Sequence, residues 1–264
     1  MSAFSPFEAT SAPKAELWDR WTPHQPQSRE TIDHAAWDRF LARYVKTDAE
    51  GPNRVAYNRV TPADKTALGD YIAGLGRIAV TRLNRREQRA YWINLYNALT
   101  VKLILDHGPV ASIRDIDISP GLFSDGPWGK KLIRIENADV GLDDIEHRIL
   151  RPIWRDPRLH YALNCASIGC PDLMATAFTA ENTERLLDAG ARAYVNSPRG
   201  ARFKDGRLIA SKIYSWFAED FGGGEAGVLA HLKRYASPDL VRRLDTVTEI
   251  ESYDYDWRLN GAAD

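Results

Sequence analysis

Two cysteines, Cys165 and Cys170, lie five positions apart in the stretch Asp156-Pro-Arg-Leu-His160-Tyr-Ala-Leu-Asn164-Cys165-Ala-Ser167-Ile-Gly-Cys170-Pro-Asp. Four chemistries fit that spacing. A thiolate nucleophile needs a base, His147 or His160, within hydrogen-bond reach. A disulfide forms in an oxidising compartment. A metal site combines both cysteines with a histidine, although the tight C-x₂-C spacing of structural zinc sites is missing. Two buried small hydrophobes are the plainest alternative. Cys170 stands before Pro171, where it reads as the N-cap of a short helix, a place that lowers a thiol pKa.

A second group of candidates lies in Gly-Leu-Asp143-Asp-Ile-Glu146-His147. The Asp-x-x-Glu spacing is that of a capping box, so Asp143 and Glu146 have a structural explanation as the start of a helix. His147 then sits in its first turns, where the dipole favours the neutral imidazole, the form that acts as a general base. The third group is a polar stripe on the helix read over 84–107. At about 100° per residue, Glu87, Asn94 and Asn97 fall on one face, among Tyr91, Trp92, Leu95, Tyr96 and Leu99. Buried asparagines must find hydrogen-bond partners. The stripe either satisfies loop backbone in the core or lines a cleft with Glu87 as its charged member.

The elements that must position these groups are read from periodicity. Residues 1–30, with Pro6, Pro13, Pro23 and Pro26, form an extended arm whose Phe4, Phe7, Trp18 and Trp21 pack on the body. Helices are predicted over 31–45, from Pro62 onward, over 84–107 with a stop at Gly108-Pro109, and near 143–151, 180–196, 212–220 and 225–236. Strands are predicted at 131–135, 160–165, 207–210 and 244–255, the second of them buried and leading into the cysteine loop. Turn residues Pro120, Gly121, Gly126, Pro127 and Gly129 bracket a loop between the third helix and the first strand. The expected fold is α+β: a single mainly helical domain over 31–264, its central apolar helix packed on a small antiparallel sheet.

Composition narrows the function. With 35 Lys+Arg against 36 Asp+Glu among 264 residues, no basic excess is left to neutralise phosphates, which argues against a nucleic-acid partner. A 44% hydrophobic content suits a globular core, and no apolar run is long enough to span a membrane. The first residues show no basic segment followed by an apolar one, so no signal peptide is expected in the chain as given. No Gly-rich phosphate loop or dinucleotide fingerprint occurs, so no organic cofactor and no metal is implied.

Five ordered blocks carry a family resemblance: Glu87-Gln-Arg-Ala-Tyr-Trp-Ile-Asn94-Leu-Tyr96-Asn97-Ala; Ser112-Ile-Arg-Asp-Ile; Leu142-Asp-Asp-Ile-Glu146-His147-Arg-Ile-Leu-Arg151; His160-Tyr-Ala-Leu-Asn164-Cys165-Ala-Ser-Ile-Gly-Cys170-Pro171; and, more weakly, Leu208 to Phe221. Together they resemble the DUF547 family, a domain of unknown function found in bacterial and plant proteins, over about 85–235. The resemblance implies that Glu87, Asn94, Asn97, Glu146-His147 and Cys165 recur together, while Cys170 and His160 are less constant. It thereby favours Cys165 as nucleophile over Cys170. A polar core helix beside a Cys/His pair is also similar to papain-like and transglutaminase-like cysteine enzymes, an analogy of fold only. Those enzymes place the cysteine before the histidine, on the central helix, whereas here His147 precedes Cys165. Family members in Gram-negative bacteria are often exported, which points to the periplasm, with the cytoplasm as the alternative.

The leading expectation is a cysteine-nucleophile hydrolase or acyltransferase acting on an amide, thioester or γ-glutamyl-like bond of a small molecule or peptide. Cys165 attacks, His147 is the base, and Glu87 or Glu146 orients the imidazole. Asn94, Asn97 or Asn164 donates to the oxyanion, with Tyr96, Ser167 and His160 lining the substrate site. The rival expectation is a non-catalytic small-ligand or peptide-binding domain with structural cysteines; redox or metal handling by the cysteine pair ranks third. In the first case the resting state keeps a free Cys165 thiol, with Cys170 as a second thiol able to protect it by reversible oxidation.

Overall fold

The computed structural model describes residues 13–48, 51–120 and 126–262, so the expectations for Pro6, Phe4, Phe7 and Gly121 fall outside the described residues. The fold is α+β, with small two- and three-stranded sheets set among helices. Helix α1 (Ala35–Tyr44) starts four residues later than its periodicity suggested and runs into a short antiparallel pair, β1 (Val45–Lys46) with β2 (Arg54–Val55). Helix α2 (Pro62–Gly76) begins where Thr61 accepts the Asp64 amide and Pro62 presets the first turn. Helix α3 (Arg85–His107) is capped by Asn84, whose side chain accepts the amides of Arg86 and Glu87. An unbroken run from Glu87 to Val101 is buried on all sides. Helix α3 is the axis of the main apolar cluster, with Trp37 and Phe40 of α1 and Leu68, Ile72 and Leu75 of α2.

The predicted strand at 131–135 is one arm of a hairpin, β3 (Ile133–Ile135) with β4 (Ala138–Val140), turned by left-handed Glu136 and Asn137. The helix expected near 143–151 has a π-helical first part, Asp144–Leu150, before continuing as α4 (Arg151–Trp154). Pro152 brings no N–H, so carbonyls that would bond to it in either helical register lack a donor. The N-terminal arm supplies two: Glu16 N–H donates to the His147 carbonyl and Trp18 N–H to that of Arg148, each at 2.9 Å. Trp21 is buried and Trp18 packs on the main cluster, so the described part of the arm lies on the body as expected.

The segment expected as a strand at 160–165 is instead the end of a 3-10 helix, Pro157–Tyr161, followed by irregular backbone. Pro157 at its first position and the Asp156 cap favour a helical turn, a local signal that outweighs the apolar run behind it. No helix follows Cys170; residues 171–174 are irregular, which removes the expected cap.

Helix α5 (Thr183–Val195) comes next, then antiparallel β5 (Ala201–Lys204) and β6 (Arg207–Ser211), α6 (Lys212–Trp216), α7 (Glu225–Tyr235), α8 (Pro238–Leu244) and β7 (Ser252–Asp254), which pairs parallel to β6. The long final strand read over 244–255 is therefore only its last part, and the helix at 212–220 stops at Trp216. These elements enclose a second apolar cluster around Tyr161, Tyr194, Tyr214, Phe221 and Leu232. The cysteine loop lies where the clusters meet, with Leu163 and Ala166 in the first, Tyr161 in the second and Tyr255 packed against the second. Among the described residues no helix is long and apolar enough to cross a membrane.

Candidate active site

Asn97 holds the start of the cysteine loop. Its amide donates to the Ala162 carbonyl at 2.8 Å and its oxygen accepts the Asn164 amide at 2.9 Å. One helix turn earlier, Asn94 does the same to a single residue, donating to the Phe178 carbonyl at 2.7 Å and accepting the Phe178 amide at 3.0 Å. These side chains are clamps on irregular backbone, so both asparagines of the stripe satisfy loop groups in the core and neither faces a cleft. Asn164 is likewise committed: it donates to the Pro171 carbonyl at 2.7 Å and accepts the Ala166 amide at 3.0 Å. The oxyanion role expected of the three asparagines does not fit this geometry.

The Asn164–Ala166 bond closes a tight turn with Cys165 at its tip and Ala166 in the left-handed region at φ 59°. A non-glycine residue there is held against its steric preference by its surroundings. The C-terminal segment supplies that hold: Ile168 and Gly169 N–H donate to the Arg258 and Asp256 carbonyls at 2.8 Å, and Asn260 N–H donates to the Ala166 carbonyl at 3.0 Å. Arg199 donates to the Cys170 carbonyl at 2.6 Å on the far side.

Cys165 is half-buried and Cys170 buried, and both thiols are free. The Cys165 sulfur lies 3.1 Å from the Tyr255 hydroxyl and 3.4 Å from Ser167 Oγ, and Ser167 donates to Tyr255 at 3.0 Å. Thiol, serine and tyrosine thus close a ring of three hydrogen bonds. The Cys165 amide donates to Cys170 Sγ at 3.0 Å. A hydrogen bond from Cys170, with those of Ser167 and Tyr255, holds the Cys165 thiol below the ordinary range, against burial and the neighbouring Glu146 carboxylate. Burial, and then the Cys165 sulfur, push Cys170 well above it, opposite to the lowering expected from a helix cap.

His147 takes no part in that ring. Its Nδ1 accepts from Arg151 Nη1 at 3.0 Å, which leaves the proton on Nε2, 3.8 Å from Asp143. It makes no hydrogen bond to either sulfur, and burial brings its pKa down to about 4, so the ring is neutral at pH 7. The expected capping box is not formed either: Asp144, not Asp143, accepts the Gly141 amide, at 2.8 Å. Asp143 is left with its pKa up at about 6 through burial and the charges of Glu146 and Asp144.

Glu146 accepts a hydrogen bond from buried Tyr96 and faces His160 Nδ1 at 3.7 Å. His160 Nε2 bonds Asp220 at 2.7 Å, and Phe217 stacks on its ring at 4.2 Å between centroids. Arg151 completes the chain, donating to Asp220 at 2.6 Å and to the Pro13 carbonyl at 2.7 Å. Glu87 stands elsewhere: it takes the Ile32 amide and neighbours Glu181 at the start of α3, beside a cavity of about 420 Å³ lined also by His24, Arg29 and Arg85. It does not orient His147.

Tyr255, Asp220 and Arg151 were not singled out from sequence. Arg151 and Asp220 lie within the quoted blocks, but nothing in their spacing says that they meet. Tyr255 comes from the end of the chain, and the half-buried rings of Trp216 and Trp257 pack on it at 4.9 and 4.7 Å.

Residues 80–195 match the DUF547 family model, described as a protein of unknown function, and this bears out the resemblance read from the sequence blocks. The matched span holds α3, the π-helix, the cysteine loop and α5, while Asp220 and Tyr255 lie beyond it. No curated protein and no solved structure matches the chain.

Proposed function

We propose that the protein is an enzyme with Cys165 as its nucleophile, acting by acyl transfer or hydrolysis on an amide, thioester or γ-glutamyl-like bond. The observation that carries this reading is the convergence of Tyr255, Ser167 and Cys170 on one sulfur at the tip of a strained turn. Hydrogen-bond donors around a sulfur favour thiolate, the reactive form. Here they stand in for the histidine of a Cys–His pair.

The Cys165 sulfur attacks the acyl carbon. As the tetrahedral intermediate collapses, the bond to the leaving group breaks and that group takes a proton. Tyr255 is placed to give it: its own pKa is held well above the ordinary tyrosine range by burial and then by the two cysteines, so it stays a donor. The thioester left on Cys165 is released by water or a second nucleophile. Tyr255, left as the phenolate by the first half-reaction, takes that nucleophile's proton and is restored, while Glu146 stays fixed between Tyr96 and His160, with Asp220 positioning His160. Trp216 and Trp257 give the acyl donor an apolar wall beside Tyr255.

The test is covalent trapping. Reduced protein incubated with activated acyl thioesters and p-nitrophenyl esters is expected to carry an acyl group on Cys165, located by peptide mass spectrometry and absent in Cys165→Ser. Acylation spread over surface lysines, with Cys165 unmodified, contradicts the reading.

A further inference from the structure

We propose that the Cys165–Cys170 pair also reduces hydroperoxides, with Cys165 as the attacking thiol and Cys170 as the resolving one. The inference rests, as the proposed function does, on a nucleophilic Cys165 with Tyr255 beside it. Its own observation is the second sulfur. A nucleophilic cysteine needs no partner thiol for acyl transfer, yet Cys170 Sγ receives the Cys165 amide at 3.0 Å, so it lies within one side-chain rotation of Cys165 Sγ. Both thiols are free, and Cys165 is the less buried residue of the two.

The first step is attack of the Cys165 thiolate on the outer oxygen of a hydroperoxide. A sulfur–oxygen bond forms, the oxygen–oxygen bond breaks, sulfur is oxidised to the sulfenic acid and the peroxide is reduced. The departing oxygen leaves as water or an alcohol once protonated. Tyr255, hydrogen-bonded to the sulfur and itself accepting from Ser167, is the donor next to that oxygen. In the second step Cys170 attacks the Cys165 sulfenic sulfur, loses its proton, and water leaves with the hydroxyl oxygen. Two thiols and one hydroperoxide thus become one disulfide, one water and one alcohol or second water, a balanced two-electron exchange. A dithiol reductant returns the pair to its starting state.

The loop suits that cycle. Ile168 and Gly169, between the two cysteines, are hydrogen-bonded to the C-terminal segment, and Tyr194 donates to the Gly169 carbonyl at 2.6 Å. The backbone is therefore fixed while the side chains change partners. Burial keeps Cys170 protonated until the sulfenic acid is present, so it does not compete for peroxide. This sets the order of events: Cys165 first, Cys170 second.

The experiment uses the full chain, reduced and freed of reductant, with one equivalent of hydrogen peroxide or of an alkyl hydroperoxide. Expected is loss of both thiols, a Cys165–Cys170 disulfide within one chain by peptide mapping, and oxidation at least about tenfold faster than free cysteine at pH 7. Cys170→Ser is expected to stop at a Cys165 sulfenic acid that dimedone traps, and in Cys165→Ser the remaining thiol is expected to resist oxidation. Oxidation of Cys165 no faster than free cysteine overturns the proposal, as does a wild-type sulfenic acid that persists without forming the disulfide. Acyl trapping on reduced wild-type protein reads the proposed function separately: peroxide turnover without an acyl adduct sinks that function alone, and an acyl adduct without disulfide formation sinks this one.

Discussion

The Tyr255 hydroxyl lies 3.1 Å from the sulfur of Cys165, a residue 90 positions earlier in the chain. Tyr255 follows β7 and Cys165 follows a 3-10 helix, so the pair exists only once the C-terminal segment has been laid across the cysteine loop. Tyr255→Phe keeps the ring and its packing on Trp216 and Trp257 but removes the donor. The expected outcome is a raised Cys165 alkylation pKa, with a loss of stability of about 1 kcal/mol or less. Alkylation with iodoacetamide against pH, beside a thermal melt, checks both halves.

Asn97→Ala removes a group that satisfies two buried backbone atoms, the Ala162 carbonyl and the Asn164 amide. Leaving both without partners costs about 2–4 kcal/mol. Because Asn164 in turn shapes the turn around Cys165, the variant is expected to lose selective Cys165 labelling along with stability. Asn94→Leu, which frees only the Phe178 backbone, is expected to lose a similar amount of stability by urea unfolding and to keep that labelling.

Much of this framework is legible in the sequence, and the exceptions have physical causes. Helix α2 announces itself by Thr61-Pro62 and α3 by a long apolar period, and both form where the pattern puts them. The apolar run Tyr161-Ala-Leu has the composition of a strand, but the Asp156-Pro157 start commits it to a helical turn and the Asn97 clamp fixes the backbone from Ala162 to Asn164. The asparagine stripe shows that polar groups are buried there without showing whether backbone or ligand receives them. At the site, the sequence blocks mark Cys165, Glu146 and His147, but role depends on orientation. His147 turns toward Arg151, and Arg151 meets Asp220 across 69 positions. Such pairings leave no local periodicity to read.

Acid should destabilise the fold through its buried histidines. Burial lowers His34, His147 and His231 to about 4 from an ordinary 6.5. A histidine with a depressed folded pKa contributes stability that is complete above 6.5 and lost as pH falls toward 4, since only the unfolded chain binds the proton in that window. For His147 the full effect is about 3 kcal/mol. Asp143 works in the opposite sense: raised to about 6, it makes folding less favourable above pH 6 and relieves that penalty as pH falls toward 3.8. Urea unfolding at pH 7.5 and pH 5 is expected to show a net loss on acidification. His147→Gln should flatten that loss, and Asp143→Asn should stabilise at pH 7.5 while making the acid loss steeper. A pH-independent midpoint in all three proteins contradicts the assignment of buried neutral histidines.

Hydrogen bonds from Cys170, Ser167 and Tyr255 make the Cys165 thiol easier to ionise than a free cysteine. The most direct measurement is the rate of Cys165 alkylation in the folded, reduced protein from pH 5 to pH 10, followed by peptide mapping. The expected result is an apparent pKa clearly below the 8.5 or so of a free thiol, with Cys170 unlabelled until the protein is unfolded. A Cys165 that titrates at or above that value, or that labels no faster than Cys170, contradicts it.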